Sequence, residues 1–365
     1  MQKLFEGIYR GKTVLVTGHT GFKGSWLSLW LLKMGANVIG YSQEPMNSHS
    51  HYELLNLEIV SIIADINDTE TLEQVFHKYQ PEIVFHLAAQ ALVRASYKNP
   101  VETFQTNIMG TINIFEAARK IDSVKAIINI TSDKAYENKE WLWGYRENDA
   151  MGGYDPYSAS KGCSELVTTS YRNSFFNPSM YNKTHKVLLA SCRAGNVIGG
   201  GDWSEDRLIP DIMKSVEAGD VVSIRNPNAT RPWQHVLEPL SGYLSVGEKL
   251  LHGDKNYASA WNFGPLDEGS ISVETVVKNI KLHWDKIVYE IKEELDAPHE
   301  ANLLKLDCSK AHTLLNWQSV WNSDTTFQKT TLWYKKYALQ KELNTLNDLL
   351  SYVDEAKKKG LLWAN

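Results

Sequence analysis

Two residues near the middle of the chain have the types and the spacing of an acid–base pair. Tyr157 and Lys161 stand four apart, as Tyr-x-x-x-Lys, and on a helix side chains at that spacing project from one face. An ammonium beside a phenol favours the phenolate and so lowers the pKa of the tyrosine. Such a tyrosine can take a proton from an alcohol while the same carbon gives up a hydride. Taken alone, the pair favours the simpler interpretation of an ordinary exposed helix face.

A second group of reactive side chains stands upstream, where residues 131–134 read Thr-Ser-Asp-Lys. The carboxyl of Asp133 and the amine of Lys134 could serve as an acid and a base toward the substrate that Tyr157 oxidises. Something more than oxidation is therefore expected at this site. Without the other motifs, Asp133 and Lys134 would be read as a solvated loop ion pair, which contributes little to stability.

The N-terminal region has the pattern of a strand, a glycine turn and a helix. A short β-branched run at Lys12–Thr17 leads into Gly-x-x-Gly-x-x-Gly at residues 18–24, and Ser25–Met34 has the apolar spacing of a helix. The glycines of such a turn allow a tight bend and a close approach of the backbone to a pyrophosphate, and the helix N-terminus adds free N–H groups. The pattern predicts a dinucleotide site. The alternative is a glycine-rich turn without a ligand.

Strand-like and helical segments alternate along the first half of the chain. Strands are predicted at Asn37–Tyr41, Val60–Ala64, Ile83–Leu87, Ala126–Ile130 and Val187–Ala190, with helices near 69–79, 100–120 and 156–173. Alternation of this kind predicts an α/β fold, a Rossmann-type doubly wound parallel sheet covered by helices on both faces. From about residue 200 the alternation of strand-like and helical segments becomes less regular. We therefore expect a dinucleotide-binding domain over 1–195, with some later segments interleaved, and a smaller C-terminal α/β substrate-binding lobe over 196–365.

Composition narrows the class of protein. The 365 residues carry a net charge of -5, with 43% hydrophobic and 22% charged residues, which is typical of a globular protein. The sequence lacks the basic patch that nucleic-acid binding would require. It also lacks an apolar run long enough for a membrane segment and the pattern of a signal peptide, so a cytoplasmic protein is expected. The three scattered cysteines, Cys163, Cys192 and Cys308, have no metal-ligand spacing, and no metal is expected.

Seven collinear segments resemble the extended short-chain dehydrogenase/reductase family, and the resemblance spans nearly the whole chain. It is strongest to the nucleotide-sugar dehydratase branch that acts on CDP-glucose. The segments are TGHTGFKGSWL (17–27), FHLAAQALVRASYKNP (85–100), TNIMGT (106–111), TSDKAYEN (131–138), YSASKGCSE (157–165), RAGNVIGGGDW (193–203) and RPWQHVLEPL (231–240).

The resemblance implies a tightly held NAD. Its expected contacts lie in the glycine turn, after the next strands and on the active-site helix, which Asn107 would brace: Gly18, Thr20, Gly21, Phe22, Lys23, Gly24, Asp65, Ile66, Leu87, Ala88, Ala89, Gln90, Asn107, Tyr157 and Lys161. The residues alone leave NADP open. Residues 40–43 read Gly-Tyr-Ser-Gln, without the acid that usually meets the adenosine ribose and without an arginine for a 2′-phosphate. Lys23 could approach such a phosphate, although an exposed lysine is the alternative.

The resemblance also implies a reaction. Tyr157 would deprotonate the C4 hydroxyl of a nucleotide-activated hexose, Lys161 would hold the cofactor ribose and lower the tyrosine pKa, and Thr131 would hydrogen-bond the same oxygen. The resulting ketone acidifies the C5 proton. Lys134 would then remove that proton and Asp133 would protonate the departing C6 hydroxyl, which yields a 4-keto-6-deoxy sugar. These roles require a neutral Lys134 amine and a raised pKa for Asp133.

Substrate contacts follow from the same resemblance. Arg231 would hold the diphosphate, since a guanidinium can bond two oxygens at once. The other candidates are Ser132, Asn196 and His235, with Arg94, Arg207 and Arg225 weaker. These three arginines could equally be ordinary surface or structural residues, and His235 could be a core histidine. Related dTDP-glucose enzymes place Asp-Glu at 133–134 and GDP-mannose enzymes also use a glutamate, so Lys134 favours CDP-glucose, in deoxysugar biosynthesis such as that of lipopolysaccharide O-antigen.

Two other functions remain open at this point. A nucleotide-sugar 4-epimerase would share the fold, but such enzymes typically have small neutral residues where Asp133 and Lys134 stand. A non-catalytic NAD-binding regulator would have no reason to combine Asp133 with Tyr157 and Lys161. By analogy, relatives pair through the helices near 100–120 and 156–173, so a homodimer or homotetramer is expected.

Overall fold

A seven-stranded parallel sheet forms the centre of the molecule. The computed structural model describes residues 1–45, 49–265, 270–292 and 303–365. The central sheet has the order β10-β6-β5-β4-β1-β2-β3, and every neighbouring pair in it is parallel. The chain thus winds outward in both directions from β1, as in doubly wound dinucleotide-binding folds. The predicted fold class is confirmed.

The strands have the following bounds: β1 Thr13–Thr17, β2 Asn37–Ser42, β3 Val60–Ile63, β4 Ile83–His86, β5 Ala126–Ile130, β6 Leu188–Ala194, β7 Asn196–Ile198, β8 Val222–Ile224, β9 Thr230–His235, β10 Ala260–Phe263, β11 Ser270–Ser272 and β12 Tyr289–Ile291. The five strands predicted after β1 all occur, with ends that differ from the prediction by a few residues. β4, β5 and β6 are buried along their whole length, which explains why their sequences are apolar runs and not alternating patterns.

The helices have the following bounds: α1 Phe22–Lys33, α2 His51–Leu55, α3 Thr69–Tyr79, α4 Val93–Lys98, α5 Pro100–Phe104, α6 Gly110–Arg119, α7 Pro156–Ser174, α8 Leu208–Ala218, α9 Leu237–Leu251, α10 Val273–His283, α11 Ser309–Leu315, α12 Ser323–Gln340 and α13 Thr345–Lys358. A π-helical turn at Gln105–Met109 joins α5 to α6. In the described ranges, no helix combines the length and the apolar character that a membrane crossing requires.

Two apolar layers cover the faces of the central sheet. On one face α1 and α9 pack with Trp26, Trp30 and Tyr243, and on the other face α3 and α6 pack with Phe76 and Phe115. α13 joins the first of these layers through Leu349, Tyr352 and Val353. The C-terminal helix therefore belongs to the core beneath the dinucleotide-binding half.

A smaller body contains the remaining strands. It has a three-stranded sheet in the order β11-β9-β7 and the parallel pair β12-β8. Its own apolar core includes Ile212, Val277, Phe327 and Trp333. β7 begins two residues after β6 ends, near the expected boundary at 195, but β10 and α9 return to the larger body. The division of the chain into two domains at 195 stays a prediction.

Candidate active site

The turn between β1 and α1 can accept only glycine at two of its positions. Gly18 has a φ of +74°, and a Cβ there would lie 2.8 Å from the backbone nitrogen of Ala88. A Cβ on Gly24 would lie 2.0 Å from the carbonyl oxygen of Gly18. α1 begins without a side-chain cap, since the residue before it is Gly21. Its first N–H groups are therefore open to an anionic ligand, and the turn fits the pyrophosphate of a dinucleotide.

The other predicted cofactor residues surround this turn. Thr20 hydrogen-bonds the Ser42 hydroxyl at the end of β2, and Ile66 packs against the backbone at Gly110. After β4, the Ala88 nitrogen donates to Thr17. Leu87, Ala89 and Gln90 belong to the same segment, which continues from β4 toward α4.

Asn107 connects that segment to the active-site helix. Its side-chain oxygen accepts from the Gln90 nitrogen at 2.9 Å, and its amide nitrogen donates to the Gln90 carbonyl at 3.0 Å and to Ser160 of α7 at 2.8 Å. A buried amide that makes three hydrogen bonds fixes the positions of both segments relative to each other. Asn107 thus contacts the active-site helix as the sequence predicted.

An acid does lie beside residues 40–43, although the sequence there contains none. The Asp65 carboxylate, which follows β3, accepts a hydrogen bond from the Gln43 side chain at 2.8 Å. It also accepts from the backbone and side chain of Asn67. β2 and β3 are neighbours in the sheet, so the next strand supplies the missing carboxylate. Sequence reasoning could not match it to the usual position because the position is filled from a different strand.

Lys23 lies at the catalytic end of the cleft. Burial is the main reason that its pKa falls to about 8; the Arg207 and Lys161 cations lower it further, while Asp133 and Asp202 oppose the shift. These four groups are its charged surroundings. The interpretation of Lys23 as a contact for a 2′-phosphate is therefore wrong, because the lysine faces the reactive groups.

α7 holds Tyr157 and Lys161 in the interior. Asp155 caps the helix by accepting from the Ser158 nitrogen and hydroxyl, and Pro156 takes the first helical position, where no N–H is needed. Tyr157 is 9% exposed and Lys161 is 6% exposed. The helix begins at a defined residue, so both side chains enter the cleft in fixed positions.

Several groups control the pKa of Tyr157. Burial raises this pKa, while the Ser132 side chain and the Arg207 cation partly offset the increase. Lys161 directs its ammonium to the Ile130 carbonyl at 3.4 Å, and burial lowers its own pKa to about 8 against the opposing effect of Glu165. Ser132 and Arg207 are the groups that lower the tyrosine pKa most, and the expected effect of Lys161 on it stays a prediction.

Ser132 lies beside Asp133 and near Tyr157. Its hydroxyl donates to Asp133 Oδ1 at 2.9 Å, and its side chain lowers the pKa of Tyr157. The Lys134 nitrogen also donates to Asp133 Oδ1, at 2.9 Å. Asp133 is 3% exposed, and burial raises its pKa although Lys134, Ser132 and Lys23 oppose the shift. The raised pKa that an acid at this position requires is present.

Thr131 is turned away from the tyrosine. Its hydroxyl donates to Glu165, which is also bonded by Ser191 at 2.7 Å and by Arg193 at 2.8 and 2.9 Å. Successive residues at the end of a strand point to opposite sides, so Ser132 and not Thr131 faces Tyr157. The expected role of Thr131 is corrected accordingly. The sequence offered two adjacent hydroxyls and no way to choose between their directions.

The buried pair of Arg193 and Glu165 was not anticipated from the sequence. The two side chains are 4% and 1% exposed. Burial alone would raise the pKa of Glu165, but Arg193 and the hydrogen bonds from Thr131 and Ser191 hold this pKa below its usual value. Glu165 stands one helical turn after Lys161, which was the only available signal for its position near the site.

Three of the predicted substrate contacts are arginines. Arg207 lies 3.4 Å from Asp202, and Arg94 lies 3.9 Å from Asp206. Arg231 is buried in β9 and donates to the Thr230 carbonyl. Of these arginines, Arg207 is the one whose charge acts on the reactive groups, since it lowers the pKa of Lys23 and of Tyr157.

The residue before Asn196 is adjacent to Asp133. A Cβ on the preceding Gly195 would lie 3.1 Å from Asp133 Oδ2, so the start of β7 runs beside the acid. His235 is placed differently, because it is fully buried against Trp26 and Trp321. Burial lowers the pKa of His235 to about 3. The prediction of a nucleotide contact for His235 is wrong; it is a neutral core histidine.

The sheet, the glycine turn and the Tyr-x-x-x-Lys helix together define a short-chain dehydrogenase/reductase. A family model described as GDP-mannose 4,6 dehydratase matches residues 15–330, and the chain belongs to this family. A CDP-glucose 4,6-dehydratase from Salmonella typhimurium is 52% identical over 334 residues, which cover 91% of this chain and 93% of that protein. The family resemblance predicted from the sequence is confirmed.

Solved structures have the same fold. An epimerase from Methanothermobacter thermautotrophicus superposes with a TM-score of 0.77 and 25% identity, covering 90% of this chain and 94% of its own. A dTDP-glucose 4,6-dehydratase from Bacillus anthracis, solved in complex with NAD, superposes with a TM-score of 0.72 and 19% identity, covering 89% and 97%.

We predict that Gly24→Ala weakens both NAD binding and folding, because the added methyl collides with the Gly18 carbonyl. Overpacking of this kind costs about 1–3 kcal/mol. Gly264→Ala is the matched control, since Gly264 lies after β10, outside the turn, and its Cβ would lie no closer than 3.4 Å to a neighbouring atom. Titration with NAD by fluorescence and thermal unfolding would measure both effects. Unchanged NAD affinity in Gly24→Ala would contradict the assignment of this turn to the cofactor.

We also predict that Glu165→Gln destabilises the fold by about 3–5 kcal/mol, because it leaves the Arg193 charge buried without its partner. Urea unfolding followed by circular dichroism would measure the loss. Glu116→Gln on α6 is a suitable control, since its pair with Arg119 lies at the surface and such pairs contribute at most about 1 kcal/mol. Equal losses in the two variants would contradict the special importance of the buried pair.

Proposed function

We propose that this protein catalyses the NAD-dependent dehydration of CDP-glucose to CDP-4-keto-6-deoxyglucose. The observation that carries the proposal is the buried carboxyl of Asp133, which is 3% exposed and accepts hydrogen bonds from Ser132 and from the nitrogen of the amine-bearing Lys134, near Tyr157. A site for oxidation at C4 alone needs no buried acid beside the tyrosine. The 52% identity to a CDP-glucose 4,6-dehydratase supports the choice of substrate.

NAD fits the cleft on two observations. The glycine turn leaves room for a pyrophosphate at the start of α1, and Asp65 brings a carboxylate to the end of β2. A carboxylate there favours the free ribose hydroxyl of NAD and disfavours the 2′-phosphate of NADP. When bound, NAD would accept a hydride from C4 and later return it to C6.

Tyr157 and Ser132 act at C4. As a phenolate, Tyr157 accepts the proton of the C4 hydroxyl, and the nearby Ser132 side chain and Arg207 cation lower the tyrosine pKa and so favour this form. Ser132 takes the place at the C4 oxygen that the sequence had suggested for Thr131. Lys161, held against the Ile130 carbonyl, places a cation beneath the ribose side of the cleft.

Asp133 and Lys134 act at C6 and C5. The ketone at C4 makes the C5 proton acidic, and the Lys134 amine accepts this proton as the C6–O bond breaks. Asp133 gives its proton to the leaving hydroxyl, so that water departs and a C5=C6 double bond remains. Lys134 returns its proton to C5 when C6 is reduced. The raised pKa of the buried Asp133 carboxyl suits it to the role of acid.

The arginines of the cleft suit a diphosphate. Arg94 comes from α4 of the larger body, while Arg207 and Arg231 come from the start of α8 and from β9. A nucleotide diphosphate carries two negative charges and several acceptor oxygens, which guanidinium groups bind in a bidentate manner. The substrate would therefore bridge the two bodies across the catalytic end of the sheet.

The test is incubation of the purified protein with NAD and, separately, CDP-glucose, dTDP-glucose, GDP-mannose and UDP-glucose, followed by mass spectrometry. We expect CDP-glucose to lose one water without net release of reduced cofactor. A product of unchanged mass with altered sugar configuration would instead establish a 4-epimerase. Absence of any reaction would favour a non-catalytic NAD-binding protein.

Two variants separate the steps of the reaction. We predict that Tyr157→Phe abolishes turnover, because no base remains for the C4 hydroxyl. Lys134→Ala should still oxidise C4 but fail to lose water, so the near-ultraviolet absorbance of bound reduced nicotinamide appears without product. Simultaneous loss of both signals in Lys134→Ala would contradict its assignment as the C5 base.

We further propose that two chains associate through the helices that the sequence suggested. Large apolar side chains are exposed on α5, the π-helical turn and α7: Val101 at 75%, Met109 at 47% and Leu166 at 60%. These helices contact each other, so the side chains belong to one surface that a second copy would cover by twofold symmetry.

We predict that Leu166→Glu shifts the protein to a monomer in light scattering coupled to gel filtration, because a charge would enter the apolar surface. Leu339→Glu is the matched control, since Leu339 is 58% exposed on α12, outside this surface. An unchanged mass for Leu166→Glu would place any interface elsewhere.

A further inference from the structure

The segment that joins β7 to α8 starts beside the cofactor turn and the catalytic acid. At its first residue, a Cβ on Gly199 would lie 3.3 Å from the ring of Phe22, where α1 begins. A Cβ on Gly195, just before β7, would lie 3.1 Å from Asp133 Oδ2. The segment ends at Arg207, directly before α8. It therefore connects the cofactor turn and the acid to an arginine of the proposed diphosphate site.

Core side chains fix the middle of this segment. The Trp26 indole donates to the Gly200 carbonyl at 3.0 Å, and the Tyr334 hydroxyl donates to the Asp202 carbonyl at 2.6 Å. A Cβ on Gly200 would lie 2.0 Å from the Trp333 ring, so only glycine fits there. The backbone around Asp202 is thus held by α1 and α12, and the Asp202 side chain starts from a defined point.

Asp202 carries a buried carboxylate whose two oxygens have different partners. The residue is 4% exposed. Its Oδ1 accepts from the Ser204 nitrogen at 3.1 Å and from the Ser204 hydroxyl at 2.7 Å. Its Oδ2 lies 3.4 Å from Arg207 Nη1. A buried carboxylate requires hydrogen-bond donors and a counter-charge, and Ser204 and Arg207 supply them.

Arg207 keeps most of its hydrogen-bonding capacity for another partner. A guanidinium has five N–H groups in one plane, and among the described residues the Arg207 guanidinium has one hydrogen bond, to Asp202. The Arg207 side chain is 35% exposed. Its cation also acts on the reactive groups, since it lowers the pKa of Lys23 and of Tyr157. The protein therefore holds one nitrogen of this guanidinium and leaves the others accessible to an anionic ligand.

We propose that Asp202 is a positioning residue, which holds the Arg207 guanidinium in the orientation that binds the diphosphate of the substrate. An arginine side chain has several rotatable bonds, and ordering them at the moment of binding weakens affinity. The contact with Oδ2 restricts the guanidinium before the substrate arrives. The hydrogen bonds from Ser204 to Oδ1 fix the carboxylate, so that Oδ2 stays directed at Arg207. This inference rests on the proposed function, in which Arg207 binds a nucleotide diphosphate.

The alternative role for a carboxylate beside an arginine is competition with the diphosphate for the same cation. Two observations favour positioning. The contact through Nη1 alone leaves the other N–H groups of Arg207 for bidentate bonds to phosphate oxygens. Asp202 is also buried and fixed by Ser204, so it stays on the inner side of the arginine. Loss of the Asp202 charge strengthens diphosphate binding under competition and weakens it under positioning.

Asp202→Asn is the variant that separates these two roles. An amide keeps one acceptor oxygen and presents an NH2 donor in place of the other. When its oxygen accepts from Ser204, its NH2 group meets the N–H groups of Arg207, so the turn is kept and the ion pair is lost. We expect the Kd of CDP, measured by isothermal titration calorimetry, to rise about 3- to 10-fold. Glu205→Gln is the matched control, because Glu205 is exposed in the same segment and the substitution removes the same charge; it should leave this Kd nearly unchanged.

Two further measurements distinguish positioning from general damage to the fold. In an Arg207→Met background, Asp202→Asn should not raise the Kd of CDP further, because no guanidinium remains to be positioned. In turnover of CDP-glucose, the bound diphosphate itself holds the guanidinium, so Asp202→Asn should raise KM and leave kcat nearly unchanged. An unchanged or lower Kd of CDP in Asp202→Asn, full additivity of the two substitutions, or a fall in kcat at constant KM would overturn the proposal.

Ser204→Ala keeps the proposal testable if Asp202→Asn folds poorly. This substitution, at a partly exposed residue, removes the 2.7 Å hydrogen bond and leaves the carboxylate to the backbone nitrogen. We expect the Kd of CDP to rise about threefold, and the rise should be absent in an Arg207→Met background. The same Kd in Ser204→Ala and in the parent protein would overturn the proposal.

Binding of CDP is measured without turnover, which separates this inference from the proposed function. If Asp202→Asn weakens CDP binding as described while the parent protein dehydrates no nucleotide sugar, the proposed function is rejected and the positioning role is supported. If the parent protein does not bind CDP, the positioning role is overturned.

Discussion

The buried ion pair between Arg193 and Glu165 is the contact on which the catalytic end of the molecule depends. It joins β6 to α7 through two hydrogen bonds of 2.8 and 2.9 Å, and Thr131 adds the end of β5. Arg193 also donates to Tyr136 and to the Glu147 carbonyl, which belong to the segment leading into α7. A buried pair is stable only when its remaining hydrogen-bonding groups are satisfied, and here the partners that satisfy them come from the end of β5, from β6 and from the segment before α7. Because Thr131 is held by Glu165, Ser132 must face the opposite side.

Burial of the reactive side chains away from water is the second influence on the site. It raises the pKa of the acids Asp133 and Tyr157 and lowers that of the bases Lys23 and Lys161. Burial therefore brings the proton affinities of the Asp133 carboxyl and the two lysine amines closer together, while it moves the affinity of Tyr157 away from that of the lysines. The shift of Asp133 suits this carboxyl to donate a proton.

The sequence predicted best those features that depend on local pattern. The parallel sheet followed from the alternation of apolar runs and periodic segments, and the cofactor turn followed from three glycines, two of which are required sterically. What it could not predict depends on long-range direction. Thr131 and Ser132 are adjacent hydroxyls, and only the register of β5 shows which one meets Tyr157. His235 has the chemistry of a ligand, and only the packing of Trp26 and Trp321 around it shows that it is core. Asp65 reaches the end of β2 from a neighbouring strand, which no fixed spacing along the chain would reveal.

The return of β10 to the edge of the central sheet has a consequence for how such chains can diversify. β10 is encoded between segments of the smaller body, yet it pairs with β6 over four residues, from Ala260 to Phe263. A recombination event that exchanged everything after residue 195 would remove this strand and α9 with it. β6 would be left with a bare edge, and an open edge strand invites association with other chains. New substrate preferences in this lineage are therefore expected to arise by replacement of individual loops and side chains, and not by exchange of the C-terminal half as a cassette.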